Sequence, residues 1–142
     1  MLLGSMLAGM AFANSPVAAV HALAYPLGGN FHVPHGLSNA LVLPYVLEFN
    51  MPEADKLYAE LAGIIFPELA TLSHHKKVDG MLLKIAALSA DLGLQTRLSE
   101  VGVSADDLDL LAGDAMKQTR LLVNNPREMT YESAFAIYQK AL

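Results

Sequence analysis

The 142-residue sequence contains no cysteine. That excludes a disulfide scaffold, a thiolate metal site and a cysteine nucleophile, and it fits a reducing cytoplasm. Charge is also scarce: Asp, Glu, Lys and Arg make up 16% of the residues. Nine Lys and Arg stand against 14 Asp and Glu, for a net charge of −5, so the chain lacks the basic footprint of a nucleic-acid binder. Disorder is excluded by the 54% of residues that are hydrophobic. Period-two alternation is almost absent, so strands are not expected. Apolar residues recur at helical spacing instead, which predicts an all-α, bundle-like domain. At this length one domain buries roughly 68–70% of its unfolded surface.

The charge is unevenly placed. No Asp, Glu, Lys or Arg precedes Glu48. The first 24 residues invite a secretory reading, and Ala11-Phe12-Ala13 has the form of a cleavage site, but the basic n-region is missing. A membrane span needs about 20 predominantly apolar residues, whereas Asn14-Ser15-Pro16 interrupts this run and no Lys or Arg flanks it. A membrane-associated helical protein is therefore the weakest reading. Buried helices are the better one, because a helix that is apolar all round must be surrounded.

The spacing predicts a helix over 2–13 and a second over 16–25, with Ser15 as N-cap and Pro16 at its first position. Pro26-Leu27-Gly28-Gly29-Asn30 reads as a break, and residues 31–35 as an extended connector, since Pro34 disfavours helix at Val33. A helix over 36–49, bent at Pro44, follows. Amphipathic helices are then expected over 53–65 (Leu57, Leu61, Ile64, Ile65) and 79–91, with His74-His75-Lys76-Lys77 as a solvated loop between them. Residues 96–102 read as a loop. Ser104 and Asp107 form a predicted capping box ahead of helices over 105–112 and 113–122. Asn124 to Arg127 form a turn. Thr130 caps a last helix, with Ser133 at N3, that buries Ala134, Ile137, Tyr138 and Ala141.

Histidine is where the chemistry concentrates. His21, His32 and His35 fall within 15 residues around a Pro/Gly-rich turn, and imidazole is the commonest side-chain metal ligand. His21 and His35 would lie on separate elements, as a metal site requires. A hydrogen-bonded core histidine is the plainer alternative for either. The seven methionines read as core filler.

Three stretches then carry a resemblance. Ala8 to Phe12, Val20-His21-Ala22-Leu23-Ala24-Tyr25-Pro26-Leu27-Gly28 and Val33-Pro34-His35-Gly36-Leu37-Ser38-Asn39-Ala40-Leu41-Val42-Leu43-Pro44 closely resemble the iron-containing alcohol dehydrogenase family. Leu94-Gln95-Thr96-Arg97-Leu98 is similar to that family's LP-x-R-L segment, and Asn125-Pro126-Arg127-Glu128-Met129-Thr130 with Ala136-Ile137-Tyr138 to its closing motif. The resemblance implies an N-terminal nucleotide-binding α/β domain followed by a helical C-terminal domain. It further implies Fe²⁺ or Zn²⁺ in the cleft between them and oxidation of alcohols, or reduction of aldehydes and ketones, with NAD(P).

Carried over by residue, His21 and His35 match two histidine ligands. Tyr25 stands where many members have another histidine, beside the nicotinamide. A phenol there implies a wall to the substrate or nicotinamide side, without a proton relay near neutral pH. The family's other ligands, an Asp and a His upstream of the block, have no counterpart here. Gly28-Gly29 follows a helix and is no dinucleotide fingerprint. Residues 1–142 thus read as a single helical metal-site domain without its nucleotide-binding domain: a fragment or split subunit, with an incomplete metal half-site, no NAD(P) site of its own and no activity alone. The expected partner is the missing domain, or a second copy meeting through the apolar N-terminal helices. The alternative is a non-enzymatic helical module that keeps the fold and acts in metal binding or interaction.

Overall fold

The computed structural model describes all residues, 1–142, and contains helices and turns with no strand. The helices are α1 (Leu2–Asn14), α2 (Ala19–Phe31), α3 (His35–Ile65), α4 (His74–Asp91), α5 (Leu108–Met116), α6 (Thr119–Leu122) and α7 (Tyr131–Ala141), with short 3₁₀ turns at 67–69, 98–101 and 105–107. The main core lies where α2, the first half of α3, α5 and α7 meet. It is built from Leu23, Leu27, Val42, Val46, Leu111 and Tyr138, and from alanines that let helix axes approach closely. A smaller cluster of Ala62, Leu69 and Met81 joins the far half of α3 to α4. Gly80 makes room there, since a Cβ would meet the Leu69 side chain at 2.9 Å.

Helix periodicity and capping chemistry predict several elements well. The final helix starts where Thr130 and Ser133 exchange hydrogen bonds, and it buries the four residues expected. Ser104 N donates to Asp107 Oδ2 at 2.8 Å, forming the predicted capping box, although the turn it opens is 3₁₀ before α5 begins.

The prolines overrule the sequence reading. The break expected at 26–30 is helix: α2 runs through Pro26 to Phe31. Likewise α3 is one 31-residue helix that contains both Pro44 and Pro52, in place of two helices over 36–49 and 53–65. An internal proline removes one ladder hydrogen bond, and at Pro26 packing offsets that loss. Pro26 is buried, as are Ala22, Leu23 and Leu27 of the same helix. Asn30 donates to Pro26 O at 3.0 Å and to Asp114 Oδ2 of α5 at 3.1 Å, which holds the last turn. Ser15 and Pro16 do not start α2, whose first turn follows Ala18 with no side-chain cap.

Other boundaries also move. The His74 to Lys77 segment is the first turn of α4, solvated but helical, and His74 Nε2 lies 3.0 Å from Asp55 Oδ2 on α3. Residues 98–101 form a 3₁₀ turn that buries Leu98. Glu100 closes it by accepting from the amides of Thr96 and Arg97, and Gly102 leaves it at φ 87°, a left-handed conformation that favours glycine.

Two apolar surfaces stay uncovered. The expected stripe of the far half of α3 faces solvent, with Leu57 61% and Ile64 75% exposed, while Ala54, Ala59 and Ala62 turn inward. Helix α1 buries none of its residues, so the surroundings an all-apolar helix requires are not supplied by residues 15–142. No single helix is long and apolar enough to cross a membrane. The pair α1 and α2 has the length but is bent by 106°, and α2 is packed into the core.

Candidate metal half-site

The link between α2 and α3 doubles back. His32 ends α2 in the left-handed conformation at φ 55°, Val33 N donates to Leu27 O, and Pro34 precedes the first residue of α3, His35. Ser38 Oγ lies 3.2 Å from both Val33 O and Pro34 O and fixes the turn from inside. This reversal brings His35 level with the first turns of α2. Its ring centre lies 5.2 Å from that of His21 and 6.0 Å from that of Tyr25. His21 and Tyr25, at i and i+4, share one helical face, with ring centres 6.4 Å apart.

The expected trio is thus assembled on one surface. His21 is half-buried, while His35 and Tyr25 (44% exposed) face outward. His32, which ends α2, is exposed. No third His, Asp or Glu converges on His21 and His35.

Two imidazoles on one tetrahedral cation, each bonded at about 2.0–2.1 Å, have ring centres roughly 5 Å apart. The 5.2 Å separation of His21 and His35 meets that requirement. Protonation is also favourable to ligation. Burial lowers the His21 imidazole below its ordinary value, and the neighbouring His35 lowers it further, so His21 favours the neutral form that ligates. Its contribution to stability is complete above the ordinary imidazole value and is lost as pH falls through the lowered one. An NMR titration of His21 is expected to have its midpoint below 6.5, and His35→Gln to move that midpoint upward. An unchanged midpoint would remove His35 as a cause.

Some residues in the resembling stretches do structural work that spacing did not reveal. Asn125 and Asn50 exchange hydrogen bonds at 2.7 and 3.1 Å. Arg127 donates from Nη1 to Phe49 O at 2.8 Å, with its guanidinium over the Phe49 ring at 4.3 Å. The closing motif therefore clamps the tail onto α3 and is remote from the histidines in sequence and role. Tyr138 donates from its hydroxyl to Leu23 O at 2.7 Å in the core, and burial raises its phenol far above the ordinary value. That bond anchors the turn of α2 between His21 and Tyr25. Asn39, the residue hydrogen-bonded to the His35 ring, was legible only as the i+4 neighbour of His35.

The all-helical domain brings the rings of His21 and His35 together on an open surface. The profile of the Fe-containing alcohol dehydrogenase family, C-terminal, matches residues 1–142, and the chain belongs to that family. It is 38% identical over 97% of its length to long-chain-alcohol dehydrogenase 1 of Geobacillus thermodenitrificans, covering 35% of that protein. Among solved structures, 1,3-propanediol oxidoreductase superposes with a TM-score of 0.90 at 33% identity, over 97% of this chain and 36% of the other. An alcohol dehydrogenase from Oenococcus oeni superposes with a TM-score of 0.88 at 37% identity, over 96% and 36%. The chain spans about a third of the length of the relatives it matches.

Proposed function

We propose that this chain is the metal-binding helical part of an NAD(P)-dependent alcohol dehydrogenase, with His21 and His35 forming one side of an Fe²⁺ or Zn²⁺ site. The observation that carries the reading is the 5.2 Å approach of the two rings across the α2–α3 turn. The cation, when bound, supplies Lewis-acid polarisation of an alcohol or carbonyl oxygen. The protein's own part is to give a lone pair from each histidine, with the His21 pocket disfavouring the competing proton. Tyr25 walls the site one turn along α2, where its phenol can hydrogen-bond a substrate or cofactor oxygen.

The remaining ligands and the dinucleotide site lie on another polypeptide segment in this reading. The uncovered α1 is the surface that meets that segment or a second copy. The cysteine-free composition supports action in the cytoplasm. The test is direct. Zinc titrated into the 142-residue chain is expected to bind weakly, since a two-histidine site leaves most positions open, and to lose that binding in His21→Ala and in His35→Ala. Zinc binding unaffected by both changes would overturn the assignment. With Fe²⁺ or Zn²⁺, NAD(H) or NADP(H) and a panel of short alcohols and aldehydes, the chain alone is expected to give no turnover above the metal blank. Turnover would overturn its reading as an incomplete site.

One observation favours a second reading, a helical module that keeps the fold without the chemistry: Tyr25 stands in the trio where a titratable imidazole would otherwise lie. Absence of any zinc binding in the wild-type chain would support that reading.

A further inference from the structure

We infer that Asn39 fixes the tautomer of His35, holding the Nε2 lone pair unprotonated and engaged until a cation takes it. The functional meaning rests on His35 being a ligand, as proposed above, but the tautomer assignment does not.

Asn39 lies one turn after His35 at the start of α3. Its Nδ2 donates to His35 O at 2.9 Å and lies 3.1 Å from His35 Nε2. The backbone carbonyl can only accept, so the amide must present nitrogen to it; the rotated amide would set two acceptors against each other. That fixes the amide orientation without reference to the ring. The same nitrogen has a second hydrogen to give, and its other partner is Nε2. A neutral imidazole that accepts at Nε2 carries its proton on Nδ1. A half-turn of the ring would put carbon Cε1 in that place and lose the bond.

A further observation shows that the nitrogen contacts are what hold this side chain. Asn39 Oδ1 is buried and has no hydrogen-bond partner. A buried unpartnered acceptor is costly, so Asn39 is not placed to satisfy its own amide. Its position is set by what Nδ2 does at the head of α3.

The consequence bears on ligation. Imidazole in water favours the proton on Nε2, the tautomer in which that nitrogen offers no lone pair. Asn39 reverses the preference before any cation arrives. When the lone pair is taken, the amide gives up one hydrogen bond and keeps the other, to His35 O. Asn39 is therefore a positioning residue, acting through His35.

Long-range proton–nitrogen correlation NMR on the nitrogen-15-labelled 142-residue chain tests this without metal. The measurement is made at about pH 8.5, roughly two units above the ordinary imidazole value. The wild-type His35 is expected to show a pyridine-type Nε2 and a pyrrole-type Nδ1, and the reverse pattern overturns the inference without any variant being needed. Asn39→Asp supplies only acceptors and is expected to move the proton to Nε2. Asn39→Leu keeps the bulk and is expected to shift His35 to the solution preference. Solvent-exposed His32 and His75 are expected to stay unchanged throughout, a signature that loss of packing alone would not give. Retention of Nδ1–H in Asn39→Asp also overturns the inference. A separate zinc titration keeps the two ideas apart. Wild-type protein that binds no zinc defeats the ligand reading and leaves the tautomer standing. A wild-type Nε2–H defeats the tautomer and leaves the ligand pair standing.

Discussion

Tyr138→Ala is expected to destabilise the domain by roughly 3–5 kcal/mol, the range for removing a large aromatic from a packed core. Tyr138 is the largest fully buried side chain in the molecule. It stands on α7 within the cluster shared by α2, α3 and α5, so its removal opens a cavity that no single helix can close by shifting. Its hydroxyl adds a separate, smaller effect. Leu23 O lies inside α2, where the helix ladder already supplies one donor, and Tyr138 supplies a second at 2.7 Å. Tyr138→Phe therefore removes one hydrogen bond without stranding an acceptor and is expected to cost about 1 kcal/mol. Urea unfolding followed by circular dichroism separates the two. Equal losses in both variants would show that the hydroxyl, and not the ring, holds α7 to α2.

Removal of residues 1–14 is expected to abolish most self-association while leaving the unfolding midpoint unchanged. Helix α1 has no Asp, Glu, Lys or Arg, buries none of its residues and exposes Leu2, Leu3, Met6, Leu7, Met10 and Phe12. Apolar patches beyond a few hundred Å² mark association surfaces, and an isolated helix of this length is marginal in water. The main core contains no residue before Ala19, so the truncation leaves it intact. Sedimentation velocity compares the two chains. A monomeric full-length chain without partner or detergent would overturn the prediction. Equal association after truncation would assign the contact to the second uncovered surface, where Leu57, Ile64 and Leu83 are exposed on α3 and α4.

The sequence by itself determined the elements whose causes are local. Helical periodicity predicted an all-α chain, and the boxes at Ser104–Asp107 and Thr130–Ser133 marked helix starts because their side chains bond backbone amides three residues away. The likeness around His21 and His35 named both histidines and Tyr25 before any geometry was available. Only the tertiary structure decided what depended on distant partners. Pro26 stays inside α2, where its burial and the Asn30–Asp114 bond to α5 offset a missing ladder bond, and a local rule cannot see that compensation; α3 likewise runs through half-buried Pro44 and exposed Pro52. Which side of α3 turns inward was decided by α4, so alanines are buried where the leucines and isoleucines were expected. The approach of His35 to His21, and the amide of Asn39 against the His35 ring, follow from the way the link at 32–34 doubles back. That path is set by Val33 bonding to Leu27 and by Ser38 reaching back to 33 and 34, contacts that exist only once α2 and α3 are packed together.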